Sequence, residues 1–193
     1  MDNLERTQIK LDFAAGTLKV ESLTIDSANL VEVSSKATYG EGAVKTDFQR
    51  TGNEGILHLS GDGNANTEWE IKLNKEIPLT VVVNSAVTDA ELNLSELNVT
   101  DFRMNADVGN FTVIMPASHK TTAYIKAAVV NMEVTIPEGV AARLKTKVDL
   151  GILEVDQNRF QKQGDYYVSR DFGLAQNLLE AEIDYGLGRV QVK

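Results

Sequence analysis

The sequence predicts an all-β protein, a right-handed parallel β-solenoid of about 21 residues per coil flanked by antiparallel strands. Three observations carry that expectation. Apolar and polar residues alternate with period two through most of the 193-residue chain, the mark of strands with one buried face. The alternating stretch recurs at equal intervals, from Phe102 to Ala123 and from Ala123 to Leu144. A unit of that length is too short for strand, crossover helix and returning strand, which need about 30 residues. Successive copies must therefore stack strand on strand, about 4.8 Å apart.

The elements follow in order from the alignment of copies. Residues 102–116 (FRMNADVGNFTVIMP), 123–137 (AYIKAAVVNMEVTIP), 144–157 (LKTKVDLGILEVDQ) and 179–193 (LEAEIDYGLGRVQVK) are four copies. Their leading apolar places are Phe102, Ala123, Leu144 and Leu179, and Gly109, Gly151 and Gly186 share one phase at the bend. Two earlier copies lie at 9–20 (IKLDFAAGTLKV) and 79–101. One copy presents too few apolar side chains to make a core, whereas stacked copies bury a continuous one. Each coil then holds two main strands and a corner, and the Pro-containing segments 116–122 and 137–143 close the turns. The stack is expected to hold about five coils.

Other readings compete. Residues 92–99 (LNLSELNV) resemble a leucine-rich-repeat fragment, but the other copies lack its Leu spacing. Residues 138–145 and 174–181 contain good helix formers, yet both overlap strand positions of the repeat. An antiparallel sandwich is the remaining alternative.

Residues 22–75 break the period. Alternating runs there are separated by turns at Gly40-Glu41-Gly42, Gly52-Asn53-Glu54-Gly55 and Gly61-Asp62-Gly63-Asn64, which predicts antiparallel strands. A solenoid's open ends expose unpaired backbone, so these strands are expected to cap or flank the first coils. Residues 158–173 (NRFQKQGDYYVSRDFG) form an insertion that makes one coil much longer than the rest. No Pro-, Gly- or Ser-rich linker divides the chain, so 1–193 reads as one domain. Within it 9–21 supply the first repeat-like strands, 22–75 the flanking strands and 79–193 the coils.

Composition narrows the function. Nineteen basic residues against 28 acidic ones leave a net charge of −9, which opposes non-specific binding to nucleic acid or to anionic lipid. The absence of cysteine excludes a disulfide framework, a thiolate nucleophile and thiolate-bound metal. No apolar run approaches the length of a membrane span and no leader pattern opens the chain, so it is expected to be soluble.

Candidate sites are few. His58 and His119 without cysteine fall short of a three-His zinc site, and both read as surface or structural residues. Asp62, Asn64, Asn66 and Glu68 alternate like the start of a calcium loop, but Thr67 and Leu73 stand where that loop needs Gly and Glu. Asp107, Asp149 and Asp184 occupy one phase, interrupted by Ala128, so stacking would bring carboxylates near one another for a cation or for acid–base work on a polysaccharide. Turn propensity beside Gly accounts for the same residues without chemistry. Asn93, Asn98 and Asn110 each head an N-x-S/T triplet, read as outward strand polarity. Phe160, Tyr166, Tyr167 and Phe172 cluster in the insertion, either as a patch that binds a partner or as a pin holding the insertion to the solenoid flank. Trp69 is expected to pack at the cap. No phosphate loop, Ser-His-Asp order or HExxH helix is present, so no enzyme is expected and no cofactor or metal is assigned.

Particular segments go further than the alternation. Trp69 to Leu79, with its I-P-L ending, the LNLSELNV stretch at 92–99, the IPEGVAARL corner at 136–144, Phe160 with Gly164-Asp165-Tyr166-Tyr167, and the IDYGLGRVQV ending at 183–192 resemble the toastrack β-solenoid family. That family includes LiaF-type cell-envelope-stress regulators and bacterial adhesins. The chain departs from it at the bends, where Asn84-Ser85-Ala86, Asp107-Val108-Gly109 and Ala128-Val129-Val130 replace a Gly-Ala-Gly type of turn. The resemblance implies a non-catalytic interaction or sensory domain of an envelope-stress system. Its protein partner would lie at or near the membrane, and the domain would be held there by segments outside this chain. The alternative is an extracellular adhesin-like module that binds glycan or surface polymer. Exposed strand edges at the solenoid ends also suggest a homo-oligomer.

Overall fold

The structure is a computed structural model that describes residues 4–24, 27–37, 44–61 and 67–193. The described residues form twelve strands and no helix. Six are long: β1 (Arg6–Ser22), β6 (Leu79–Asn93), β7 (Val99–Ile114), β8 (Lys120–Thr135), β9 (Val140–Val155) and β12 (Asn177–Val192). The others are β2 (Val31–Ala37), β3 (Lys45–Thr51), β4 (Glu54–Gly61), β5 (Thr67–Leu73), β10 (Phe160–Gln163) and β11 (Tyr166–Ser169).

The long strands stack in parallel in the order β1-β6-β7-β8-β12-β9. Each turns a corner midway, and the corner is written in the parity of its side chains. In β8, Ala123, Ile125 and Ala127 point inward, and the next inward residues are Val130, Met132 and Val134. The step of three between Ala127 and Val130 leaves Ala128 and Val129 facing outward together, so the chain bends away from them. Pairing carries the same step through the stack, at positions 13–16, 85–88, 106–109, 185–188 and 148–151. The inner corner place holds Gly16, Thr88, Gly109, Val130, Gly188 and Gly151 in stack order. At two of these places the backbone approach itself requires glycine. A Cβ on Gly109 would lie 1.8 Å from the Thr88 carbonyl oxygen, and one on Gly188, at φ +119°, 1.8 Å from that of Val130.

The core runs between the two arms. Leu11, Val83, Met104, Ile125 and Ile183 stack along one arm, and Leu18, Phe111, Met132 and Val190 along the other, all buried. Leu94, Met115 and Ile136, one coil apart in sequence, close the third side. The amide of Leu94 donates to Ile114, that of Met115 to Thr135 and that of Ile136 to Lys193. The LNLSELNV stretch is this turn, with Leu92, Leu94, Leu97 and Val99 all inside. Residues 140–145 and 177–181, within the two segments rich in helix formers, are strand.

Three details differ from the sequence reading. First, the coils do not all follow chain order, because β12 inserts between β8 and β9. Its inward row, Ala181, Ile183 and Tyr185, is fully apolar, whereas β9 offers Thr146 and Val148 at the places of Ile183 and Tyr185 and suits the end of the stack. Second, the last copy is slipped by two residues. Leu144 pairs with Ala181 rather than Leu179, and Gly151 with Gly188 rather than Gly186. Third, region 22–75 is only partly antiparallel. β2 and β3 pair antiparallel with β5 and β4, but β4 and β5 pair in parallel with the two arms of β1 and add a further coil. Leu57, Leu59, Trp69, Ile71 and Leu73 are apolar and buried, so the coil extends the core instead of merely covering it. Trp69 packs in this layer against Phe13, ring centroids 4.8 Å apart. The turn at Gly52-Asn53 joins β3 to β4, while Gly40-Glu41-Gly42 and residues 62–64 lie outside the described residues.

Candidate functional site

The insertion forms a hairpin, β10–β11, whose second strand pairs antiparallel with the first arm of β9 through Tyr166 with Lys145, Tyr167 with Leu144 and Val168 with Arg143. The aromatic cluster divides between two roles. Phe160 is 2% exposed and belongs to the core, so it takes no part in an exposed patch. Tyr166 and Phe172 sit around the Arg143 guanidinium, each ring centroid 5.3 Å away, and Lys162 lies over Tyr167 at 5.9 Å. Arg143 also pairs with Glu180 at 2.7 Å, and that hydrogen bond, followed by the carboxylate's charge, raises its pKa further. These contacts fasten the hairpin to the stack. Arg159 secures its base by donating to the carbonyls of Ile136, Pro137 and Val140.

The row of carboxylates does not assemble. Gly186, not Asp184, stands in line with Asp107 and Asp149. Those two are three strands apart in the stack, about 14 Å, beyond the roughly 5–9.5 Å of glycosidase carboxylate pairs. The two-residue slip instead places Asp184 between Lys126 and Lys147, and Lys147 reaches it at 3.6 Å. Among the described residues no three His, Asp or Glu side chains converge as a metal site. The calcium-like segment lies outside the described residues from Asp62 to Asn66, and Thr67 begins β5. His119 is exposed at a corner with φ 70°, and its amide donates to Asn177 Oδ1 at 3.0 Å.

His58 joins a polar ladder on the outer face of the first arm. Asp12 Oδ2 accepts from His58 Nε2 at 2.6 Å and Lys10 Nζ at 3.0 Å, and Asp12 Oδ1 accepts from Asn84 Nδ2 at 2.7 Å. Asn84 Oδ1 in turn accepts from Asn105 Nδ2 at 2.9 Å. Burial pushes the Asp12 carboxyl up, but the bonds from Asn84, Lys10 and His58 together outweigh it and hold the pKa below the ordinary value. A second ladder follows the other arm, where Asn110 Nδ2 donates to Asp89 at 2.7 Å and Asn131 Nδ2 to Asn110 at 3.4 Å. Of the three N-x-S/T asparagines, Asn110 is thus a rung, and Asn93 accepts from the Ser95 amide and hydroxyl in a turn. An open cleft of about 480 Å³ lies beside the first ladder, between Asp12, Asn84, Asn105 and Asp107.

Between the ladders, on the outside of the corner, runs a ridge that the sequence reading missed. Ala15, Val87, Val108, Val129, Leu187 and Leu150 are successive rungs across all six long strands. The five larger side chains are 41–79% exposed. Six rungs at strand spacing make a strip of about 24 Å. Its companion row is small or acidic: Ala14, Ala86, Asp107, Ala128, Gly186 and Asp149. The signal was present as Val87, Val108 and Val129, one coil apart in a phase that strand alternation assigns to solvent. An apolar residue repeated there answers to no core requirement.

The family described as the N-terminal domain of toast_rack (DUF2154) matches residues 1–137. Among solved structures, a putative cell adhesion protein from Clostridium sporogenes superposes with a TM-score of 0.88 at 20% identity, over 100% of this chain and 94% of that one. At that identity the likeness is one of fold. No protein with a curated description matches the sequence.

Proposed function

The chain belongs to the toast_rack family, and from that premise we propose that it is a non-catalytic interaction domain of a bacterial cell-envelope-stress system. In this reading it acts as a scaffold for a protein partner at or near the membrane and is held there by segments outside this chain. The observation that supports it is the corner ridge. An exposed aliphatic strip about 24 Å long is more than scattered surface residues produce, and its rigid spacing suits a docking face. One side of the ridge carries Asp107 and Asp149 and the other Asp89 and Arg189, the last already paired with Glu154. On a chain of net charge −9 the complementary partner surface is therefore apolar at its centre and basic along the Asp107–Asp149 side.

A second reading, an extracellular adhesin-like module for glycan or surface polymer, draws support from the name of the Clostridium sporogenes neighbour. The open cleft beside Asn84, Asn105 and Asp107 offers amides and carboxylates suited to hydroxyl groups. Its main polar groups, however, are already bonded to one another.

Capture experiments separate the two. The wild-type domain and a Val108→Lys/Val129→Lys variant are each presented to detergent-solubilised membranes and to cell-wall polysaccharide of the host. Retention of a membrane protein by the wild type and its loss in the variant support the scaffold. Equal retention of polysaccharide by both, with no protein, supports the adhesin-like reading.

A further inference from the structure

The two ends of the stack are finished differently. At the β4–β5 end both arms are covered, β4 by β3 and β5 by β2. At the other end β9 is the last parallel strand, and β11 pairs with it only at Arg143–Lys145. From Thr146 to Val155 the outer edge of β9 pairs with no strand among the described residues. The core shows the consequence. Leu153 and Val155 take the places at which Phe111, Met132 and Val190, and Val113, Val134 and Val192, are no more than 2% exposed, yet both remain only partly buried. Leu150 and Ile152 beside them are 79% and 59% exposed. The free segment TKVDLGILEV contains no proline, and its one lysine, Lys147, stands before the second arm, so it lacks most devices that keep edges apart.

We propose that this edge is a homodimer interface, in which the second arm of β9 pairs antiparallel with the same arm of a second copy about a two-fold axis at Leu153. The segment is self-complementary in that arrangement. Leu153 faces Leu153 of the second copy, Gly151 faces Val155, Ile152 faces Glu154, Leu150 faces Asp156 and Asp149 faces Gln157. Every carboxylate meets an uncharged residue, and Glu154 enters already paired with Arg189 at 2.6 Å. An in-register parallel pairing would set Asp149, Glu154 and Asp156 each against its own copy, and like charges directly opposite repel. The inward faces of the two arms lie on the same side, so Leu153 and Val155 gain the apolar cover that every interior strand has. The interface is isologous and closes at two copies, leaving no edge for further growth. It takes the Leu150 end of the ridge but leaves Val87, Val108 and Val129 free, so substitutions at Ile152 and at Val108 and Val129 separate the two surfaces.

The chain has no cysteine, which makes a single introduced thiol diagnostic. Leu153→Cys is compared with Val87→Cys, an equally added thiol toward the opposite end of the ridge. Under mild oxidation Leu153→Cys is expected to form a disulfide-linked dimer at least ~10-fold faster, because the two-fold axis brings its Cα atoms within the reach of a disulfide. Light scattering is expected to show a wild-type dimer that dissociates on dilution. Ile152→Lys, at an exposed position, is expected to keep the melting temperature and raise the dissociation constant at least ~10-fold. Wild type that stays monomeric to about 1 mM overturns the proposal. So does a dimer in which Leu153→Cys cross-links no faster than Val87→Cys, since it must use another surface.

Discussion

The phenol of Tyr185 donates to the backbone carbonyl of Ile152 at 2.7 Å, tying β12 to the outermost parallel strand just past the corner. Tyr185 is 1% exposed and its ring lies against Gly151, where an added Cβ would come within 2.4 Å of Tyr185 Cε2. Burial pushes the phenol's pKa up, so the group stays a donor through the physiological range. The pair adds a side-chain tie to the backbone pairing of an end strand that has a parallel neighbour on one edge only. Tyr185→Phe is expected to destabilise the protein by about 1 kcal/mol, the cost of one carbonyl left without its donor. That corresponds to a melting temperature lower by roughly 2–4 °C, and an unchanged value would show that the bond holds nothing.

Gly188 and Gly139 both have positive φ, +119° and +81°, but only Gly188 is also crowded, 1.8 Å from the Val130 oxygen were a Cβ present. Gly188→Ala is therefore expected to cost about 3 kcal/mol or more and Gly139→Ala about 1 kcal/mol. Parallel thermal melts of the two variants check the difference, and equal losses would contradict the close stacking of the corner.

Ile136 closes the third side of the core at 2% exposure. Ile136→Asp buries a carboxylate with no partner and is expected to abolish the cooperative melt. Retention of the wild-type melting temperature would place Ile136 outside the core and break the register described above.

Asp12 supplies a pH dependence. Its carboxyl titrates below the ordinary value of about 3.9, so its bonds to Asn84, Lys10 and His58 contribute stability in full above that value, lost as pH falls through the native pKa. Its side chain is one-third exposed, which limits the contribution to about 1 kcal/mol. Asp12→Asn is expected to be less stable than wild type by that amount near neutral pH, with the difference shrinking below about pH 4. Urea melts across that range measure it, and a difference independent of pH would remove the charge from the account.

Much of this fold was legible because the core demands strict alternation. Phe102, Met104 and Ala106 repeat as Ala123, Ile125 and Ala127, and a stacked coil satisfies both the period of two and the longer repeat. The order of strands was not legible, since period says which residues are equivalent and not which copies touch. The preference of β12 for the interior depends on Ile183 and Tyr185 outranking Thr146 and Val148 at equivalent places, a comparison that requires the correct register first. That register slipped because matching Leu179 to Leu144 looks natural until Ala142, fully buried, claims the partner of Leu179. The slip alone produced the apparent row of three aspartates. The β4–β5 coil was hidden because its two arms are separate strands joined through residues 62–66 and therefore show no unit of the usual length. The ridge was missed for the opposite reason, since a search for inward apolar residues passes over outward ones.

The corner ridge is the surface at which we propose that this domain meets a protein partner. A photo-crosslinking amino acid placed at Val129, on the ridge, and separately at Thr122, exposed on the first arm of the same strand, tests it in cells of the host. A discrete protein adduct from position 129, absent from position 122, is the result expected. Adducts of equal yield at both positions, or none at 129, would contradict the assignment of the ridge as the docking face.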